Sequence, residues 1–329
     1  MARIIQKFGG TSVADINHIK NAAGRVKIEY DAGNQVVVVV SAMAGVTNQL
    51  VDYVNQIDSV FDPEEYDVVV SSGEQSNAGL MALSIQGLGI KSQSFLGWQI
   101  PIQTDAIHSK ARIVNIDTAK LENCLNAGKV AVVPGFQGIG SNDRITTLGR
   151  GGSDLTAVAL AGALKADRCD IYTDVDGIYT TDPRIVSKAQ KLDRITYEEM
   201  LEMASLGSKV LQTRSVELAM NYNVKVQVRS SFTDTSGTIV TSEDEIMEQQ
   251  VVSGISQSKD EAKITLLKVA DKPGIAAAIF GPLADAEINV DMIVQNVSED
   301  GKTTDLTFTV SENDLENAVN VEFFKETTR

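Results

Sequence analysis

Five consecutive valines, Val36 to Val40, constrain this chain more than any other feature. A strand with one wet face alternates apolar and polar residues, so an unbroken β-branched run marks a strand covered on both faces. Similar short runs occur at Ile4-Ile5, Val130 to Val133 and Ile171-Tyr172. Helical patterns separate them, at Asp15 to Tyr30, Gly79 to Gln86, Ala119 to Asn126 and Asp154 to Leu164. Apolar strands alternating with helices predict a three-layer α/β/α domain around a mainly parallel sheet. The 329 residues, 43% of them hydrophobic, suffice for that core and for a second, smaller domain.

Composition removes several function classes. A formal charge of −15 opposes nucleic acid and anionic membrane surfaces as general partners. No apolar run approaches the roughly 18 residues that cross a bilayer, and the opening MARIIQKF is too short for a signal peptide, so a cytoplasmic setting is expected. Cys124 and Cys169 lack CxxC spacing and read as core fillers, and with His18 and His108 they make no zinc pattern. No metal site built from protein side chains is expected.

Two glycine-rich turns carry the chemical signal. Lys7-Phe8-Gly9-Gly10-Thr11-Ser12 follows the first strand and Gly149-Arg150-Gly151-Gly152-Ser153-Asp154 precedes a later helix, each placing glycines where a helix begins. Glycine admits close approach of an oxyanion, and the N–H groups of a helix start carry partial positive charge, so each turn reads as a phosphate cradle. Two cradles with a lysine, an arginine and an aspartate point to phosphoryl transfer to an anionic acceptor. The established nucleotide fingerprints GxxxxGK[ST] and GxGxxG are absent. Gly301-Lys302-Thr303 imitates the end of the first, but Asn296 stands where its leading glycine belongs.

The full wording of these turns, with VVVVVSAMAGVTNQL (Val36 to Leu50), SSGEQ (Ser71 to Gln75), TTLGRGGSDLTAVALA (Thr146 to Ala161) and YTDVDGIYTTDPR (Tyr172 to Arg184), resembles aspartate kinase of the amino acid kinase superfamily. The resemblance implies transfer of the γ-phosphoryl of ATP, with Mg²⁺, to the side-chain carboxylate of L-aspartate, the first step towards lysine, threonine and methionine. It makes Lys7 and Asp154 catalytic, Lys7 on the moving phosphoryl with Gly9 and Gly10 offering N–H groups, and Asp154 orienting Lys7. It assigns Ser41, Thr173, Asp174, Tyr179, Asp182, Arg184 and Lys209 to ATP, and Thr47, Glu74 in an SSGEQ turn, Arg150, Gly151, Gly152 and Ser153 to the acceptor. Arg150, a planar fork, suits the α-carboxylate and Glu74 the α-ammonium.

A catalytic domain is expected over residues 1–245 and a regulatory region over 246–329. In the latter, strands at Ile264 to Val269, Ile288 to Val294 and Leu306 to Val310, with helices at Pro273 to Leu283 and from Asp314 to Val319, resemble the ACT fold. That implies lysine and/or threonine as feedback effectors near Asp271, Gly274, Ile275, Asn289, Asp291, Gln295 and Asn296. Read alone, Ile288 to Asn296 is an amphipathic strand of alternating apolar and polar residues. The second ACT module of common relatives is expected to be missing, as is any homoserine dehydrogenase segment; Val251 to Ile255 would then lack partners, which favours a homodimer or larger assembly. The competing readings are a kinase for glutamate or acetylglutamate, and a non-catalytic amino-acid sensor.

Overall fold

The computed structural model describes residues 1–58, 60–208, 210–243, 254–256, 260–270, 272–286, 288–297 and 303–321. They form two compact units, Met1–Ser256 and Gln257–Arg329. The expected division after residue 245 falls in a stretch outside the described residues. Gly254 to Ser256 belong with the first unit, where Ile255 N–H donates to Thr180 O and Ser256 Oγ to Met203 O.

An eight-stranded sheet carries the first unit. Numbered in chain order, its strands are β1 (Arg3–Phe8), β2 (Gln35–Val40), β3 (Ser92–Ser94), β6 (Val130–Pro134), β9 (Arg168–Thr173), β10 (Arg194–Thr196), β11 (Val226–Ser230) and β12 (Thr238–Thr241). Their spatial order is β10-β12-β11-β9-β1-β2-β6-β3. Every pairing is parallel except β11 with β12. A smaller sheet of β5 (Ile113–Ile116), β4 (Ile102–Thr104), β7 (Gln137–Ile139) and β8 (Ile145–Thr147) lies in the same unit.

The valine run explains the layering. Val36, Val38 and Val40 pack with Phe8, Ile19 and Met81 on one face, and Val37 and Val39 pack with Ile5, Leu160 and Ile171 on the other. Helices α1 (Ile16–Asp31) and α3 (Pro63–Gly87) cover the first face. The second is covered by α4 (Ala119–Asn126), α5 (Gly152–Ala163), α6 (Tyr197–Ser205) and α7 (Thr213–Tyr222). Helix α2 (Val46–Ile57) packs on α3. The expected α/β/α architecture is the one found.

Two local expectations are corrected. The chain does not enter a helix directly after Gly9-Gly10: a single 3₁₀ turn, Gly10–Val13, intervenes, and α1 starts where the Asp15 carboxylate caps the N–H of His18. Ser71 to Gln75 is not a turn but the middle of α3, which begins well before Gly79, at Pro63. Gly73 sits there because a Cβ would lie 2.8 Å from Ala42 Cβ and 3.1 Å from Val46 Cγ1. The tripeptide Ser-Gly-Glu looks like turn chemistry only until that packing is known.

The second unit has β13 (Glu261–Ala270), α8 (Ile275–Asp285), β14 (Val290–Val297), β15 (Thr303–Ser311) and α9 (Leu315–Asn320), with sheet order β13-β15-β14, all antiparallel. Ile279, Leu283, Leu306 and Phe308 form its core. The predicted alternation along β14 fails. A register shift between Asp291 and Val294, with Met292 at φ 29°, turns Met292, Ile293 and Val294 all outwards. Gly274 caps α8 at φ 89°, Ile275 packs on the core, and Asn289, Asp291 and Gln295 are exposed. Asp271 and the side chain of Asn296 lie outside the described residues.

Close packing at the β11–β12 connection makes the fold testable. A Cβ on Gly237 would stand 1.7 Å from Val228 O, a backbone atom that moves only with its strand. Gly237→Ala is expected to cost about 2 kcal/mol or more in urea unfolding, since overpacking against backbone has no side chain to relieve it. A loss below about 0.5 kcal/mol would refute this packing.

Candidate functional site

Parallel sheets place ligands beyond the carboxyl ends of their strands. The ends of β1 and β2 here open into a cavity of about 340 Å³ lined by Lys7, Gly10, Ser41 to Gly45, Thr47, Asn48, Glu74, Phe136 and Gly149 to Asp154. The first turns of α2 and α5 face it, each capped by a glycine in the left-handed region, Gly45 at φ 81° and Gly151 at φ 73°. Neither cap offers a side-chain oxygen to the helix, so the partial positive charge of both helix starts is directed at the cavity.

Lys7 comes from β1 and is 8% exposed. Its Nζ lies 2.5 Å from Asp154 Oδ1, in the first turn of α5. The short contact is a charge-assisted ion pair that engages one of the ammonium's three N–H groups. An ammonium held this way keeps donors for an incoming anion.

The glycines have separate roles. Gly9 N–H donates to Tyr172 O at 3.1 Å, so it is committed to the sheet and is not available to a phosphate, contrary to expectation. Gly10 lines the cavity. Around Arg150, Gly149 (φ 78°) and Gly151 adopt conformations that favour glycine, and a Cβ on Gly151 would come within 2.0 Å of Gln212 Cγ. Gly152 is pressed against Phe136 and Leu148. This tight loop presents the exposed Arg150 to the cavity.

Glu74 projects from α3 and is 3% exposed. Oε1 accepts the N–H of Ala42 at 3.1 Å, and Oε2 has no hydrogen-bond partner among the described residues. Burial pushes its carboxyl up from 4.5 to about 7, against the lowering effect of the Ala42 hydrogen bond. A buried oxygen facing a cavity without a donor is a receptor for one. Asn77, one turn further on, donates to Ser41 O at 2.6 Å and fixes the loop that α3 braces. Sequence reasoning missed Asn77, as well as Phe136, Met43 and Asn48 of the lining; only their closeness to recognisable turns marks them.

The structure therefore brings Lys7, Gly10, Ser41, Thr47, Glu74, Arg150, Gly151, Gly152, Ser153 and Asp154 to one cavity. It does not bring Thr173, Asp174, Tyr179, Asp182 and Arg184 into its lining. Thr173 ends β9, the neighbour of β1, and the others follow it; Thr173 Oγ1 donates to Asp174, Tyr179 OH to Asp176, and Arg184 to Asp182 through its N–H and guanidinium. The Asp182–Arg184 bonds are the ordinary turn chemistry of an Asp-Pro pair. Lys209 lies outside the described residues. Among those described, no group of three or more His, Cys, Asp or Glu could hold a metal ion, both cysteines are free and buried, and no helix is long and apolar enough to cross a membrane.

The amino acid kinase family pattern matches residues 2–230, and the ACT domain pattern matches residues 263–321. Aspartate kinase Ask_LysC of Stutzerimonas stutzeri is 55% identical over 98% of this chain and 78% of its own length. The crystal structure of aspartate kinase from Synechocystis is similar at 44% identity and TM-score 0.68, across 97% of this chain but 54% of that one. E. coli aspartokinase III in complex with lysine and aspartate is 29% identical with TM-score 0.78, across 99% of this chain and 83% of that one. The same enzyme with aspartate and ADP is 25% identical with TM-score 0.69, across 98% and 99%.

Glu74 sets a pH dependence. Its native carboxyl binds the proton more tightly than an unfolded one, so the proton's stabilising contribution is complete below about pH 4.5 and is lost as pH rises through about 7. In Glu74→Gln the side-chain amide would still accept from Ala42 N–H and would not titrate. In ligand-free protein, the melting temperature of Glu74→Gln relative to wild type should climb between those two pH values and level off above them. A difference independent of pH would show that Glu74 is solvated.

Proposed function

This chain belongs to the aspartate kinases of the amino acid kinase family, and from that premise we propose that it transfers the γ-phosphoryl group of ATP to the side-chain carboxylate of L-aspartate, giving 4-phospho-L-aspartate and ADP. One observation carries the reading: a buried Lys7–Asp154 pair stands in a cavity that also holds a cationic fork, Arg150, and a buried carboxyl, Glu74, whose Oε2 has no hydrogen-bond partner among the described residues.

The acceptor carboxylate is already ionised near pH 7, so the reaction needs no general base. An acceptor oxygen attacks the γ-phosphorus, the bond to the β,γ-bridging oxygen breaks, and ADP leaves with that electron pair. What the protein must do is bring two anions together in line and neutralise the charge that spreads over the moving group. Lys7 supplies the positive charge, aimed by Asp154, with Gly10, Ser41 and the α2 and α5 helix starts beside it. Arg150 grips the α-carboxylate through two parallel hydrogen bonds, and Glu74 receives the α-ammonium on its free oxygen. Binding that ammonium holds Glu74 in its charged form. Thr47, Gly151, Gly152 and Ser153 complete the acceptor end.

The adenosine end extends past β9, over Thr173, Asp174, Tyr179, Asp182 and Arg184, with Lys209 as a second phosphate cation. Mg²⁺ supplies further charge neutralisation. The catalytic role falls to residues 1–245 and regulation to 246–329. Lysine, which aspartokinase III binds, and threonine are the proposed effectors, acting near Asp271, Gly274, Ile275, Asn289, Asp291, Gln295 and Asn296. A homodimer or larger assembly in the cytoplasm is the proposed setting.

A coupled ADP-release assay tests the acceptor: turnover is expected with aspartate and not with glutamate or acetylglutamate. Lys7→Ala should keep the fold and lower kcat on the order of a hundredfold or more, as loss of a preorganised cation does. Wild-type turnover in that variant would remove Lys7 from the reaction. Arg150→Ala should raise KM for aspartate far more than KM for ATP, and an equal rise would move Arg150 to the nucleotide.

A further inference from the structure

One buried carboxylate is left unused by this reading. Asp67 of α3 is completely buried. Its Oδ1 accepts Thr147 Oγ1 at 2.6 Å. Its Oδ2 accepts the N–H of Thr147 at 3.0 Å and of Ser109 at 3.1 Å, and lies 2.8 Å from His108 Nδ1. A carboxyl group placed this deep spends its hydrogen-bonding capacity on the groups around it, and such a buried network fixes the backbone that it reaches.

What it holds is the loop of Arg150. Thr147 ends β8, just before the Gly149-Arg150 turn. Ser109 lies under the loop: its carbonyl oxygen stands 3.1 Å from where a Cβ of Gly149 would be. Ser109 has φ 65°, a left-handed conformation unfavourable outside glycine, and its N–H is one of those bound by Asp67. The remaining backbone here is tied too, Ala111 N–H to Thr147 O at 2.9 Å and Arg214 of α7 to Leu148 O at 2.7 Å. Asp67 is the anchor among these that sits on the same helix as Glu74. Seven residues separate the two, or two helical turns, which puts both on one face about 10 Å apart along the axis.

We propose that Asp67 is a positioning residue for acceptor recognition: it fixes the end of β8, thereby aims Arg150 across the cavity, and makes α3 the element that spaces the two ends of the amino-acid acceptor. This rests on the reading that Arg150 and Glu74 hold those ends. A carboxylate that merely stabilised the fold would weaken the protein without favouring one substrate. A positioning one acts on the acceptor alone, and only while Arg150 is present.

A double-variant cycle on the whole chain separates these. KM for aspartate and for ATP would be measured in wild type, Asp67→Asn, Arg150→Ala and the double variant, each at saturating co-substrate. Asparagine keeps the shape but turns an amide N–H₂ towards donors. Asp67→Asn is expected to raise KM for aspartate about tenfold, to leave KM for ATP within about twofold, and to add less than about twofold when Arg150 is already alanine. Equal effects in both backgrounds, or an equal rise in KM for ATP, would overturn the proposal. If Arg150→Ala alone leaves KM for aspartate unchanged, the assignment of Arg150 fails and the role of Asp67 falls with it; if that variant raises KM and the cycle is additive, only the role of Asp67 fails. Should Asp67→Asn not fold, Thr147→Val removes a single donor and is expected to give the same pattern at about two- to threefold, and an unchanged KM for aspartate would be the refuting result.

Discussion

The ion pair between Lys7 and Asp154 is the constraint from which the rest of the site follows. Each partner keeps only 11% of its side-chain surface exposed, so each charge is compensated chiefly by the other. Desolvating an ammonium costs several kcal/mol, and removing one member of such a pair leaves the other uncompensated. The pair links the carboxyl end of β1 to the first turn of α5, which lie far apart in sequence and are brought together by the apolar packing of α5 on the sheet. Around that junction the loops after β2 and β8 line the same cavity, and the two helix starts converge on it.

Convergence of so many backbones requires the removal of side chains. Gly73 lets α3 approach Ala42, Gly135 lets the end of β6 approach Ser153, where a Cβ would come within 2.7 Å, and Gly151 makes room for Gln212. In each case the glycine is needed for what lies opposite it. Helix α3 emerges as the brace of the whole arrangement. It carries Glu74 against the Ala42 N–H, Asn77 against Ser41 O and Asp67 against Thr147, so the loop after β2 and the end of β8 are both tied to one rigid element.

The brace is also where stability is given up. Glu74 is buried with one oxygen that has no partner among the described residues and a carboxyl pushed up to about 7, and Phe136 in the cavity wall is kept at φ 71° by bonds from its N–H to Thr156 Oγ1 and from Leu148 N–H to its carbonyl. Unsatisfied polar atoms and strained backbone collect where a ligand is to supply what is missing. By contrast, the buried Asp170 is matched by Arg168 at 2.5 Å and lies under Arg229, a closed arrangement that asks for no ligand.

The alternation of buried strands with helices, the two-sided burial of Val36 to Val40, the two glycine-rich turns that bring Lys7, Arg150 and Asp154 to one cavity, and the family itself were legible in the sequence, because they rest on local periodicity and on short uninterrupted motifs. What local wording misreports is anything that depends on a distant neighbour. SSGEQ reads as a turn, and only the packing of Gly73 against Ala42 shows that it is mid-helix. Gly9 reads as a phosphate donor, and only the adjacent β9 shows its N–H already bound to Tyr172. Asp67 carries no motif at all: its partners lie 41, 42 and 80 residues away, and no pattern along the chain marks a carboxylate that four donors find only after folding. Periodicity and motif determine which elements form and which side chains carry charge; tertiary packing alone decides which donors and acceptors remain unpaired, and so which residues are left for a ligand.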